Sequence, residues 1–141
     1  MNRVELFAAL GLAPLAGEGG MWAPLYRDQS SNAIYYAMVA PDFSAWHRLN
    51  EPELWIHIDG GPIELHTIDA GALQTRILNR SSGEFAHRVT AGTWMAARPI
   101  EDWSLAICSL TPPFSGMELA TKAQLKSEFA AIKELPELFH A

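Results

Sequence analysis

Two side chains near the middle of the chain, His47 and Glu53, have the types and spacing needed to move a proton. In a strand, residues i and i+2 point to the same face, so His47 shares a face with Phe43, Ala45 and Leu49. By the same rule Glu53 goes with Trp55 and His57. The short turn Asn50-Glu51-Pro52 joins the two stretches, and as a hairpin it sets the imidazole opposite the carboxylate in one barrel mouth. An imidazole beside a carboxylate serves either as a general base of tuned pKa or as half of a metal site. The plainer reading of His47 is a hydrogen-bonded histidine held in the barrel wall.

The elements that must position this pair are mostly strands. Segments rich in β-branched and aromatic residues recur at 21–22 with 25–26, 33–39, 44–49, 54–58, 63–68, 73–78, 85–90, 93–97 and 103–110. Turn chemistry separates them, as in Pro41-Asp42, Asp59-Gly60-Gly61-Pro62, Asp69-Ala70-Gly71, Asn79 to Gly83 and Ala91-Gly92. About nine strands at roughly 8–12-residue spacing, with no helical pattern between them, predict an antiparallel sandwich or barrel such as a jelly roll. A short amphipathic helix is expected over about 3–10, through Glu5, Leu6 and Leu10, with Leu12 continuing its apolar side. A second is expected over about 121–135, where Thr121 can cap, Leu125, Phe129 and Ile132 fall at helical spacing, and Pro136 limits the end.

The 141 residues fit one domain, with a core over about 18–120, and 49% hydrophobic residues suffice for a core without disulfides. Ten Lys and Arg against 16 Asp and Glu give a net charge of −6, the wrong field for a nucleic-acid partner. Cys108 lies in an apolar run and reads as a buried, inert thiol. Glu5 interrupts what would otherwise resemble a leader sequence, and no run reaches the roughly 18 apolar residues of a membrane span, so a cytoplasmic location is expected.

Longer strings carry a family resemblance. Glu18-Gly19-Gly20, Tyr26-Arg27, Ser44-Ala45-Trp46-His47-Arg48-Leu49, Glu53-Leu54-Trp55, Gly61-Pro62-Ile63, Glu64-Leu65-His66-Thr67-Ile68, Gly92-Thr93-Trp94-Met95-Ala96-Ala97, and Pro112-Pro113-Phe114 with Glu118 occur in this order. Together they resemble the cupin-5 branch of the cupin superfamily. The resemblance implies an all-β fold, the cupin jelly-roll barrel or double-stranded β-helix, with short N-terminal and C-terminal helices. It also implies association through sheet edges, hence a homodimer. Three positions depart from the family pattern, where Leu15, Pro24 and Met95 replace polar residues that would line a pocket.

Cupin metal sites commonly combine about three His and one Glu. Against that pattern this chain keeps His47 and Glu53, while Leu49 and Met95 stand where two histidines would be. No cofactor is therefore expected; an ion, if held, would use His47 and Glu53.

The resemblance to metal-free sugar-nucleotide epimerases and dehydratases of the superfamily implies an isomerase, epimerase or lyase acting on a carbonyl-containing, sugar-like metabolite. His47 would be the base, Glu53 its orienter, and Tyr26 or Tyr36 the opposite acid. Arg27 and Arg98 offer guanidinium forks for an anion, Trp55 and Trp94 a rigid apolar wall, and Ser44 and Thr93 hydroxyls. His66, Met95 and Glu118 complete the expected binding set through the resemblance. His87 and His140 read as exposed bystanders. The alternatives are a small-ligand binding protein without turnover and a metal-dependent oxygenase.

Overall fold

Alternating side chains build two sheets that face each other across one core. The computed structural model describes residues 1–140. Eleven strands occur in chain order: β1 (Ala13–Pro14), β2 (Met21–Arg27), β3 (Asn32–Val39), β4 (Ser44–Leu49), β5 (Glu53–Gly60), β6 (Ile63–Asp69), β7 (Ala72–Leu78), β8 (Ala86–Val89), β9 (Trp94–Pro99), β10 (Trp103–Leu110) and β11 (Met117–Leu119). Helix α1 (Arg3–Leu10) precedes them and α2 (Lys122–Glu128) comes after. One sheet has the order β1-β2-β3-β10-β5-β8 and the other β11-β4-β9-β6-β7, with antiparallel neighbours throughout. This is the expected jelly roll with short terminal helices. The strand count exceeds nine because β1 and β11 are short additions at sheet edges. Among the described residues, no helix is long and apolar enough to cross a membrane.

The long central strands divide their residues between an inner core and an outer one. Tyr36 and Met38 of β3, Trp55 of β5, Leu65 of β6, Met95 of β9 and Cys108 of β10 fill the space between the sheets. Burial pushes the Cys108 thiol well above its ordinary pKa, which keeps it out of the reactive thiolate form. Intervening residues face outward. Ala37 and Leu105 lie under Phe7 of α1, whose ring meets Trp103 edge-on at 5.6 Å between centroids. The helix starts where the Asn2 side chain accepts from the Glu5 N–H, and ends at Gly11, whose φ of 72° suits glycine.

The outer face of the second sheet carries Trp46, Ile68, Trp94 and Ala96, covered by Leu125, Leu135 and Leu138. The helix expected over 121–135 ends at Glu128 instead. The chain leaves the helical path so that Leu135 and Leu138 reach the sheet. The carbonyl of Pro136 then accepts from the Trp46 indole N–H at 2.9 Å, and that of Leu138 from the Trp46 backbone N–H at 3.0 Å.

Strand β4 is irregular. Ser44 pairs with Ala97 and His47 with Met95, so β4 uses three residues where β9 uses two. Such a bulge turns Ser44 and His47 to the same inner side, against strict alternation.

Leu125 is fully buried beneath the closing segment. Leu125→Ala is expected to cost about 2–5 kcal/mol of unfolding free energy, the usual range for a buried leucine. Urea denaturation reads this directly; an unchanged midpoint would mean that the C-terminal segment is not part of the cooperative unit.

Candidate functional site

At one end of the sandwich the two sheets part around a cavity of about 300 Å³, the small end of the range for small-molecule sites. Leu15, Trp22, Pro24, Ala33, Ile34, Leu49, Leu110, Phe114 and Met117 make its wall apolar. Glu18, His47 and Glu53 bring three buried polar side chains to it, and Tyr26, Arg27 and Asn32 join from strands β2 and β3.

Glu18 enters from the turn before β2. That turn passes so close to β3 and β4 that side chains are excluded: a Cβ on Gly20 would lie 2.4 Å from the Tyr36 hydroxyl, and one on Gly19 2.3 Å from the Phe43 carbonyl. Both glycines also have positive φ, 92° at Gly19 and 77° at Gly20. Tyr36 donates its hydroxyl to the Gly19 carbonyl at 2.6 Å, and the Ala45 N–H donates to the Glu18 carbonyl at 2.8 Å. The Glu-Gly-Gly string thus clamps the Glu18 side chain against β4. There its Oε2 accepts from Ser44 Oγ at 2.7 Å, which the bulge makes possible.

His47 Nδ1 lies 2.7 Å from the Ala45 carbonyl oxygen. A carbonyl can only accept, so Nδ1 carries a proton, and in the neutral ring it is Nε2 that holds the lone pair. Nε2 stands 3.7 Å from Glu18 Oε2, beyond hydrogen-bond range. Glu53 differs from Glu18. Its Oε1 is buried with no hydrogen-bond partner among the described residues. Burial, and then the charge of Glu18, push its pKa up to about 8, with Trp55 pulling slightly the other way. At neutral pH Glu53 is therefore mostly the neutral acid. The same two causes hold the Tyr36 phenol well above its ordinary value.

Several expected roles change. The expected hairpin does not form, since β4 and β5 belong to different sheets, and no hydrogen bond joins Glu53 to His47 among the described residues; the ring is oriented by the Ala45 carbonyl, and the carboxylate beside it is Glu18. The Tyr26 hydroxyl is paired with Ser31 Oγ at 2.6 Å and the residue is exposed, which places it at the rim rather than opposite the base. Of the expected binding residues, only Arg27 lines the cavity. Ser44 and Tyr36 stand behind it, holding Glu18 and its turn. Trp55 and Met95 are packed between the sheets.

The rest are on the outer side of the second sheet or at its edges. His66 is held between Thr75 Oγ1 (2.8 Å) and Glu64 Oε2 (3.0 Å), and Arg98 pairs with the same Glu64. Thr93 bonds Thr90 at 2.7 Å, Trp94 lies under the C-terminal segment with Arg48 above its ring, and Glu118 pairs with Arg48 at 2.8 Å. Of the β6 pair, it is Leu65 that points between the sheets, so Glu64 and His66 face away. Glu18, Asn32 and Phe114 were missed as site residues. The only signal for Glu18 was its place in the Glu-Gly-Gly string.

The donor set does not fit a cupin metal shell. Leu49 lines the cavity and Met95 is in the core where nitrogen ligands would be needed. His57 spends Nε2 on the Gly60 and Gly61 carbonyls, and His66 is on the other side of the sheet. Among the described residues, no three His, Cys, Asp or Glu side chains gather in a metal-holding group.

Comparison with known proteins agrees with this architecture. A "hypothetical protein" from Leishmania major superposes with a TM-score of 0.85 at 21% identity, covering 95% of this chain and 96% of its own. An X-ray structure of a Shewanella oneidensis protein gives 0.88 at 22% identity, over 100% and 98% of the two chains. A cupin 2 conserved barrel domain protein from Rhodopseudomonas palustris gives 0.62 at 13% identity, over 86% and 90%. These likenesses are of fold. No curated protein matches the sequence. The profile described as "Cupin superfamily (DUF985)" matches residues 4–120, and the chain belongs to that family, cupin-5.

Proposed function

We propose that this cupin moves a proton on a small carbonyl compound without a metal, as an isomerase, an epimerase or a lyase of the proton-abstracting type. One observation carries the reading: the His47 ring, whose Nδ1 is spent on a carbonyl so that Nε2 is left to act, and the buried Glu53 carboxyl, whose Oε1 has no partner among the described residues, line the same apolar cavity. A base and an acid of matched state are what enolisation needs.

In the proposed step His47 Nε2 takes a proton from the carbon next to the carbonyl. The electron pair of that C–H bond becomes the C=C bond of the enol, and the carbonyl oxygen takes the Glu53 proton. Glu18, 3.7 Å from Nε2, steadies the imidazolium that forms. Return of the proton from His47 to carbon and of the hydroxyl proton to Glu53 completes the cycle with nothing consumed. The mostly apolar wall suits a carbonyl compound with few hydroxyls better than a sugar. It also favours a second reading, binding without turnover, in which His47 and Glu53 only anchor the ligand.

Deuterium incorporation next to the carbonyl of short ketones and oxo acids, followed by proton NMR in deuterium oxide, separates the two. Catalysed exchange is expected for the native protein, with a loss of about 10²–10⁴-fold in His47→Gln while the fold is retained. Exchange at the uncatalysed rate across the panel, or the same rate in His47→Gln, would contradict the proposal.

The acid role of Glu53 sets the pH dependence. The exchange rate should fall as pH rises through about 8, where the carboxyl loses its proton. Glu53→Gln should lower the rate and abolish that limb. Stability should depend on the same group. A pKa raised from 4.5 to about 8 on folding means that the native state holds the proton longer, so this contribution is full below about 4.5 and is lost as pH rises to about 8. Thermal unfolding of Glu53→Gln across that window should show a flatter pH dependence than the native protein; parallel curves would contradict the assignment.

A further inference from the structure

We infer that the ligand of this cavity is an oxo-carboxylate, with its anionic end at Arg27, an apolar chain along the wall, and its carbonyl at Glu53. The carbonyl end rests on the proton-transfer reading above; the anionic end rests on the placement of charge alone.

Arg27 is the only arginine or lysine lining the cavity, and it is exposed at the mouth. Arg48 is paired with Glu118, and Arg98 with Glu64. Among the described residues Arg27 has no carboxylate partner. Its one side-chain hydrogen bond goes to the Phe114 carbonyl at 3.0 Å. A guanidinium has five N–H donors, so the others remain for a ligand, and the planar fork matches a carboxylate. The bond to Phe114 also fixes where the charge sits. The Phe114 N–H donates to Asn32 Oδ1 at 2.7 Å, and the next residue is tied down through its N–H to Glu51 Oε1 at 3.0 Å.

The buried acids of the cavity wall repel an anion. Glu18 and Glu53 are both buried there, and neither has an arginine or lysine partner among the described residues. A ligand carboxylate therefore belongs at Arg27, and Glu53, which lies across β3 and β10 on the register row Arg27–Asn32–Leu110–Glu53, is left for a neutral group that can accept from it. The rest of the wall includes Trp22, Ile34, Leu49, Leu110 and Met117, which offer nothing to hydroxyls and favour methylenes. Leu15 and Pro24, the two departures from the family pattern that reach the cavity, extend the same apolar wall.

The test uses levulinate, its homologues longer by one and two methylenes, and the neutral amide of each, with binding read by calorimetry and exchange by NMR. The acids are expected to bind roughly tenfold more tightly than their amides, as a charge-assisted bond implies. That gap should close in Arg27→Gln and survive in part in Arg27→Lys. Equal binding of acid and amide, the same gap in Arg27→Gln, or no binding of any homologue at millimolar concentration would overturn the inference. The two proposals fail separately. Amides exchanged as well as acids would keep proton transfer and remove the carboxylate requirement. A carboxylate preference lost in Arg27→Gln, without exchange, would keep the anionic anchor and remove proton transfer.

Discussion

The site is governed by the burial of two carboxyl groups at one cavity, to which their mutual repulsion adds. Glu18 has a Ser44 hydroxyl to accept from and a histidine beside it, so its charge is accommodated. Glu53 has neither, and its unpartnered Oε1 is buried. Two buried carboxylates at a common cavity cannot both be ionised without large cost, and it is Glu53, without a donor at Oε1, whose pKa is pushed up. Burial, with the carboxyl charges adding to it, holds the neighbouring Tyr36 and Cys108 side chains in their neutral forms. One negative charge surrounded by retained protons is a sound arrangement for moving a proton and a poor one for gathering a dication.

Most of the fold can be understood as support for that arrangement. The inner core holds β4, β5 and β9 in register, with Tyr36 and Trp55 packed edge-on at 5.7 Å between their rings. The glycine turn brings Glu18 across from another part of the sequence, and the β4 bulge delivers the serine that holds it. Helix α1 and the C-terminal segment each cover an outer sheet face, so each sheet is packed on both sides over much of its area. The wall is thus packed from both sides, while the polar contacts at the mouth run through the Phe114 loop.

Local rules revealed the strands and half of the site. Period-two alternation was enough to place Glu53 on an inner face, because β5 alternates cleanly, and it placed His47 with Leu49 on the stretch of β4 beyond its bulge. It failed at Ser44, where one extra residue in β4 reverses the face, and nothing in the residue types there announces a bulge. Glu18 was hidden for a different reason. It approaches His47 from a turn 29 positions earlier (47 minus 18), and only the close packing of Gly19 and Gly20 against Phe43 and Tyr36 explains why that turn must be there. Glu64, His66 and Arg98 look like chemistry in the sequence, but they form a self-satisfied network facing away from the cavity. The closing helix stopped early because tertiary contacts to Trp46 outweighed the helical periodicity of Phe129 and Ile132.

The most direct test of the divided charge at this site is a pH titration of the glutamate side-chain carboxyl carbons by isotope-edited NMR, with Glu53 assigned by its loss in Glu53→Gln. One carboxyl is expected to titrate near pH 8, and its midpoint to shift downward when the charge of Glu18 is removed in Glu18→Gln. A Glu53 signal titrating in the ordinary carboxylate range, near 4.5, would mean that Glu53 is ionised at neutral pH and would remove the acid from the site.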